Sequence, residues 1–427
     1  MKPALVWIKA LACTAMVAQA QPQDGGQPPL LPPAPMVEQV LGQLPQVRAA
    51  AAAVALAQAR SRRLQAGPYD WVAKAVVDRR SEQGGPRYHE GEIGLETGLR
   101  WPAKVAADRQ LGAVEERLGV IGHADTWHEA ARGLLADWFD VLRDLRSAQL
   151  LQAQDTLMQR QLQVTQRRVD AGDAAKLDLL AVNAERARIQ AQATRGHAQA
   201  ELRRQNLLRR YPGLSDPVDL LAAHSGGQLA QELPPDAMAW PSTATWVERI
   251  LDDNHELELA QARAEQARLQ AERTRLERQP DLTAGVRAAR ERSGQEQVIG
   301  VYLSLPLGGA GRDADARAAL AQAEGAEQEL AQTRRRVEIE AWRAASEAQQ
   351  TRLTLVQQRH ALQLQHSSVA MQERAYALGE SPVTDLLISQ RAALEARLVA
   401  DTASLDAIEA WARLLLDSHR LWQPAQP

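Results

Sequence analysis

At 427 residues the chain is long enough for two or three compact domains, and its 45% hydrophobic content is enough to build cores. The 50 Lys and Arg nearly balance the 53 Asp and Glu, for a formal charge of −3, so the basic footprint that nucleic acid requires is missing. A single cysteine, Cys13, excludes an internal disulfide and a thiolate metal cluster.

The first twenty residues have a charged start (Lys2, Lys9), an apolar run from Ala10 to Ala18 and the small-residue ending Ala18-Gln19-Ala20. They predict a secretory signal peptide (1–20) cleaved after Ala20. Cleavage removes two of the basic residues, taking the formal charge from −3 to −5, and removes Cys13, so no thiol is left. Acylation of Cys13 is the competing reading, but Ala10-Leu11-Ala12 matches a lipoprotein leader poorly. Residues 21–35, rich in Pro, Gly and Gln, predict an extended leader.

Helix signals run from Met36 to Ala66, with the Ala-rich portion Ala49 to Ala59 suited to close helix contact. Gly67-Pro68 ends that helix and opens a β-hairpin over 69–102, with strands Tyr69 to Arg79 and Tyr88 to Trp101 around Gly84-Gly85-Pro86. In the second strand Ile93, Leu95, Thr97, Leu99 and Trp101 alternate with Glu92, Gly94, Glu96, Gly98 and Arg100, so one face is apolar and the other polar. A protein core would impose the same alternation. With only one further hairpin and long rods to cover it, lipid is the simpler cover, and Tyr69, Trp71, Tyr88 and Trp101 are candidate interfacial aromatics.

The stretch 105–170 has no internal proline and is rich in good helix formers. It predicts one helix of roughly 65 residues, on the order of 100 Å long, with a seam at Leu150, Leu157 and Val164. Gly172 breaks it, and a second helix covers 176–211. Residues 214–243 predict an irregular linker.

The pattern then repeats, making a first repeat of 36–213 and a second of 244–421. The second has a hairpin over 281–306, a long helix over 312–377 and a helix over 383–420, before a tail of 422–427. Its seam is Ala341, Ala348, Leu355, Leu362, Val369 and Tyr376; Trp342 falls where Trp138 does, and Leu378-Gly379-Glu380 answers Ala171-Gly172-Asp173. No segment after the signal has about 20 consecutive apolar residues, so any membrane crossing falls to strands. Four strands are too few to close around solvent, which predicts an oligomer: two chains give a filled eight-stranded barrel, three give twelve strands and a lumen.

The order of helix, hairpin, long helix, Gly-containing turn and helix, together with Arg168-Val-Asp-Ala-Gly-Asp-Ala-Ala-Lys-Leu-Asp-Leu-Leu180 and Arg374-Ala-Tyr-Ala-Leu-Gly-Glu-Ser-Pro-Val-Thr-Asp-Leu-Leu387, resembles the TolC-like outer-membrane efflux protein family. The resemblance implies a mainly α fold with a transmembrane β-barrel: a homotrimer with a 12-stranded barrel in the outer-membrane lipid and an α-helical periplasmic tunnel. It also implies a periplasmic adaptor (membrane fusion) protein and an inner-membrane pump of the RND type as partners. Leu305-Pro306-Leu307, leading through Arg312 into the second rod, looks like the branch that accompanies heavy-metal cation efflux pumps.

By the same resemblance Ala171, Gly172, Asp173, Leu378, Gly379, Glu380 and Ser381 are adaptor-contacting tips, though Gly172 and Gly379 serve equally to reverse the chain. Asp385 matches an aspartate of the entrance constriction, while the family's second entrance aspartate is Ile388 here. Asp178 and Asp385 read equally as first-turn acids that favour the helix dipole. Tyr376 and Asp178 match a pair whose hydrogen bond helps to hold the entrance shut, although Tyr376 also ends the apolar series. Glu90, Glu92 and Glu96 are expected to line the barrel lumen, either biasing it toward cations or keeping its wall wet.

No catalytic constellation, cofactor motif or metal site is expected: the nearest histidine pairs, His123 with His128 and His360 with His366, miss the i, i+4 spacing of a helical ligand pair. A type I protein-secretion conduit and a periplasmic adaptor are the alternative functions, the latter disfavoured by two helical hairpins and amphipathic strands.

Overall fold

The computed structural model describes residues 28–81, 83–223 and 241–423. The expected signal peptide, residues 21–27 of the leader, the middle of the linker and the last four residues lie outside the described residues.

Two short helices, α1 (Ala34–Gln43) and α2 (Pro45–Ala66), stand where one continuous helix was expected. Pro45 explains the break: proline forces the residue before it out of the α region, and Leu44 sits at φ −62°, ψ 138°. The two axes meet at 69°. Among the described residues no single helix is long and apolar enough to cross a membrane.

Strands β1 (Val72–Ser81) and β2 (Arg87–Leu99) follow, then the rod α3 (Pro102–Asp170) of 69 residues and α4 (Lys176–Arg210) of 35. Within the expected linker, Pro217–Ala223 forms a short helix, α5, whose Leu221 joins the core together with Leu214. The second half has α6 (Thr243–Asp252) and α7 (His255–Leu276), strands β3 (Leu282–Glu291) and β4 (Glu296–Ser304), the 68-residue rod α8 (Ala310–Ala377) and the 35-residue α9 (Val383–Asp417). Here Asn254 makes the break before α7, its side chain accepting the Leu257 N–H at 2.9 Å. Helix α9 ends at Asp417, short of the expected 420, and Leu421 and Trp422 fold back into the core.

The central core gathers at mid-rod. Trp138 is fully buried there and its indole N–H donates to the Leu30 carbonyl at 2.7 Å; Phe139, Leu142, Tyr211, Trp246, Ile408 and Trp411 surround it. Trp342, its counterpart in sequence, is 59% exposed, so the matched position does not carry a matched environment. A second core, nearer the helix turns, packs Leu151, Met158, Val182, Ile189, Val383 and Leu387. It corrects the expected seam of α3: Met158 and Thr165 are buried, whereas Leu157 and Val164 are exposed. Both series repeat every seven residues, so the spacing gave the period, and packing on α4 chose which row faces inward.

The four strands form one antiparallel sheet in the order β1-β2-β3-β4. The two hairpins join through β2 and β3, from Leu99 opposite Leu282 to Gly91 opposite Arg290. Where rods become strands, an ion cluster fixes the crossing. Lys104, 1% exposed, reaches Glu277 at 2.9 Å and Asp281 at 3.1 Å, while Arg100 and Arg273 hold Asp108 at 2.8 and 2.6 Å. Burial alone raises the Glu277 carboxyl, but hydrogen bonds from Lys104 and Arg273 outweigh it and hold the group below its usual range. Asp281 also accepts the Tyr69 hydroxyl at 2.8 Å. Replacing Lys104 by Met leaves the buried Asp281 carboxylate without a cation, while Glu277 keeps Arg273. The change is expected to cost about 3–5 kcal/mol, read as a lowered guanidinium midpoint of the purified protein. Arg60→Ala, which removes an exposed partner of Glu115, is expected to cost under about 1 kcal/mol.

Candidate functional site: the sheet faces and the helix-turn tips

Strand pairing sorts the sheet into two faces. Ala75 lies opposite Ile93, Ile93 opposite Ala288, and Ala288 opposite Ile299; one row along, Ala73, Leu95, Val286 and Val301 align in the same way. Among the described residues no helix covers this apolar face: Ile299 is 88% exposed and Val301 84%. Strands of 9 to 13 residues match the roughly 9–11 residues that cross a bilayer as a tilted strand. Trp71 and Trp101 are exposed at the helix end of the sheet, the Trp101 indole donating to the Pro280 carbonyl at 2.9 Å.

The opposite face is polar, and the three expected glutamates lie on it, each with a basic partner. Lys74 pairs with Glu96 at 2.6 Å, Arg287 with Glu92 at 3.5 Å and Arg80 with Glu90 at 3.7 Å. Two of the four expected interfacial aromatics belong to this polar face. Tyr88 lies opposite Arg80, in the same alternate row as Glu90. The Tyr69 ring covers Gly98, where an added Cβ would meet it at 2.4 Å, and Tyr302 covers Gly285 in the same way while donating to Glu96. Glycine is needed beneath each ring because any side chain would lift it off the sheet.

At the far end of the rods the two turns are built alike. Gly172 at φ +83° and Gly379 at φ +77° occupy the left-handed region, and each helix closes with a Schellman pair: Asp173 N–H to Arg168 and Gly172 N–H to Val169, then Glu380 to Ala375 and Gly379 to Tyr376. Nothing lies within 4 Å of a Cβ built on either glycine, so the backbone angle alone demands them. Ala171, Gly172, Asp173, Leu378, Gly379 and Glu380 are exposed. Ser381 is half-buried and its hydroxyl accepts from the Gln372 amide at 2.5 Å.

The residues expected at the entrance have separate surroundings within one chain. Asp178 accepts the Ala175 N–H at 3.2 Å, as a first-turn acid does. Tyr376 lies beneath the Arg168 guanidinium, 4.9 Å from its ring centroid, and makes no hydrogen bond to Asp178 in this chain. Asp385 is exposed, and so is Ile388.

A link between the hairpins comes from a residue that periodicity did not single out. Glu185 of α4 is buried and receives Arg391 of α9 at 2.5 Å, as well as Arg188 at 2.5 Å. Burial works against its charge, but the two guanidinium groups overcome this and lower the carboxyl below its ordinary value. The stabilisation is therefore complete above the unfolded value and lost as pH falls through the lower folded one. Glu185→Gln removes the anion from between two cations. Amide exchange in α4 and α9 beside this position is expected to quicken about tenfold or more, in line with the roughly 1.5–3 kcal/mol of a hydrogen bond to a charged group.

Among the described residues no group of three His, Cys, Asp or Glu side chains could hold a metal ion. No protein-family model matches the chain, and no curated protein matches it in sequence. Solved structures do match. The outer membrane protein VceC of Vibrio cholerae superposes with a TM-score of 0.72 at 16% identity, over 91% of this chain and 95% of that one. The CmeC outer membrane channel of Campylobacter jejuni gives 0.70 at 12%, over 92% and 87%. The open state of the MtrE outer membrane channel of Neisseria gonorrhoeae gives 0.66 at 15%, over 94% and 91%. The chain has the fold of the TolC-like outer-membrane factors, long helical hairpins hung from a small amphipathic sheet.

Proposed function

We propose that three copies of this chain form an outer-membrane channel, the exit duct of a tripartite efflux system fed by a periplasmic adaptor and an RND-type inner-membrane pump. The observation that carries this reading is the uncovered apolar face of the sheet, backed by a polar face and bounded by β1 and β4, each paired on one side only among the described residues. Three copies pool twelve strands, the number that leaves a water-filled lumen, with the apolar face against lipid. Glu90, Glu92 and Glu96, each paired with a base, act as a wetted wall more than as a cation filter. The rods continue the duct into the periplasm, and the exposed tips, with Leu177 and Leu378 uncovered, receive the adaptor. Energy comes from the pump, and the channel makes and breaks no bonds. The narrower assignment to metal-cation export is supported by the Leu305-Pro306-Leu307 run and by an exposed Asp385 that threefold repetition brings into a ring at the entrance.

Two measurements test this. In outer-membrane fractions the protein is expected as a heat-sensitive trimer. Val301→Arg on the lipid face is expected to abolish the trimer, at about 2–4 kcal/mol per chain near the bilayer midplane, while Val298→Arg on the polar face leaves it intact. A soluble monomer overturns the proposal. In planar bilayers Asp385→Asn is expected to reduce cation preference, and Tyr376→Phe to raise conductance if the tyrosine hydroxyl ties the entrance between neighbouring hairpins; unchanged conductance assigns Tyr376 to packing alone.

A further inference from the structure

Three histidines far apart in sequence meet at one corner of the central core. His128 is buried on α3, His255 opens α7 directly after the Asn254 break, and His419 stands at φ +54° in the turn that closes α9. Their ring centroids are 4.5 Å apart for His255 and His419, 5.0 Å for His128 and His419, and 6.1 Å for His128 and His255. Their donor atoms do not converge as a metal site requires.

Five carboxylates and two guanidinium groups lie around the trio, and the guanidinium groups already pair with Glu129 and Asp417. From α3 come Asp125, Glu129 and Arg132; from the α6–α7 break, Asp253 and Glu258; from α9, Arg413 and Asp417. The best placed carboxylate, Asp417, lies 3.4 Å from His128 but is already held by Arg132 at 2.8 Å and Arg413 at 2.7 Å. His255 has Glu258 at 3.7 Å and the charge of Asp125, a weaker counter-ion because burial raises its carboxyl, while His419 has the backbone and charge of Asp253; burial and the neighbouring rings outweigh them.

We propose that the trio is an acid-responsive clamp: with the rings neutral it fastens the α6–α7 break and the end of α9 to α3, and protonation of more than one ring frees those two segments while the rods stay folded. Burial and the neighbouring rings push His255 down, and push His419 down to about 4. In the released segments the rings return to the ordinary value near 6.5, so the released form binds more protons. The clamp is therefore intact above that value and weakens as pH falls toward 4. Both freed segments matter to the architecture, since α7 leads directly into β3 and the α9 turn carries Leu421 and Trp422 into the core.

Hydrogen exchange on the full-length protein in detergent tests the clamp without any channel measurement. Between pH 7.5 and 5.0, after correction for intrinsic exchange, peptides over 253–258 and 417–423 are expected to lose protection about tenfold or more, while peptides over 182–193 and 341–355 do not change. In the His255→Gln/His419→Gln double variant the pH step disappears and the rods keep their protection. An identical step in the variant, no step in the natural protein, or protection of these peptides by added zinc at pH 7.5 overturns the proposal. If the double variant fails to fold, histidine titration by NMR on the natural protein decides: two rings with midpoints well below 6 support the clamp, and three midpoints near 6.5 sink it.

Discussion

Backbone hydrogen bonding leaves the four-stranded sheet unfinished. Strands β1 and β4 each pair on one side only among the described residues, and the apolar face they share with β2 and β3 has no helix over it. In water such a sheet aggregates; in lipid an open edge strands polar groups at several kcal/mol each. Both problems have one solution, which is to add strands until the sheet meets itself with the apolar side outward. In the channel proposed above, a chain that supplies four strands calls for a fixed small number of copies. The rods hang from the same strands, so that assembly would place them around its axis.

The proposed ring requires the joint between strands and rods to hold its angle, since every copy would enter through it. Hydrophobic packing is poorly directional, whereas charge-assisted hydrogen bonds fix geometry. The joint uses them in number: Lys104 between Glu277 and Asp281, Asp108 between Arg100 and Arg273, and Arg312 donating to the Glu277 carbonyl at 2.7 Å. The partners come from both halves of the chain, so the cluster also ties the halves together beneath the sheet. A buried pair of this kind contributes little net stability compared with apolar packing, and orientation is the better account of its presence.

Much of this was legible in the residues, and the remainder fails for identifiable reasons. Alternation in Ile93, Leu95, Thr97 and Leu99 defines the two faces because a strand's period is two whatever covers it. Glycines and prolines mark the ends of the rods because left-handed φ and the missing N–H are local properties. The row of α3 that packs inward was misjudged by one residue, since a seven-residue period is shared by adjacent rows and only the partner helix selects between them. Pro45 inside an Ala-rich helix was passed over in favour of the surrounding helix propensity. Tyr69 and Tyr88 were placed by type, as interfacial aromatics, when their parity puts them on the polar side. The Lys104 cluster, the Glu185–Arg391 pair and the histidine trio were invisible for a different reason: Lys104 and Glu277 are 173 residues apart and Glu185 and Arg391 are 206 apart, and no local pattern encodes such meetings.

The two tips show how equal positions in a repeated sequence become unequal in function. Both turns have the same left-handed glycine and the same closing hydrogen bonds, and both following helices place an aspartate at their third residue. After the first turn, Ala175 keeps a backbone N–H that needs an acceptor, and Asp178 bends back to supply it. After the second, the corresponding residue is Pro382, which has no N–H to offer. The Asp385 carboxylate is thereby released from capping; only its backbone N–H is engaged, donating to the Pro382 carbonyl at 3.3 Å. A single proline thus decides which of two matched carboxylates is left uncapped, and it places that charge on the hairpin formed by α8 and α9.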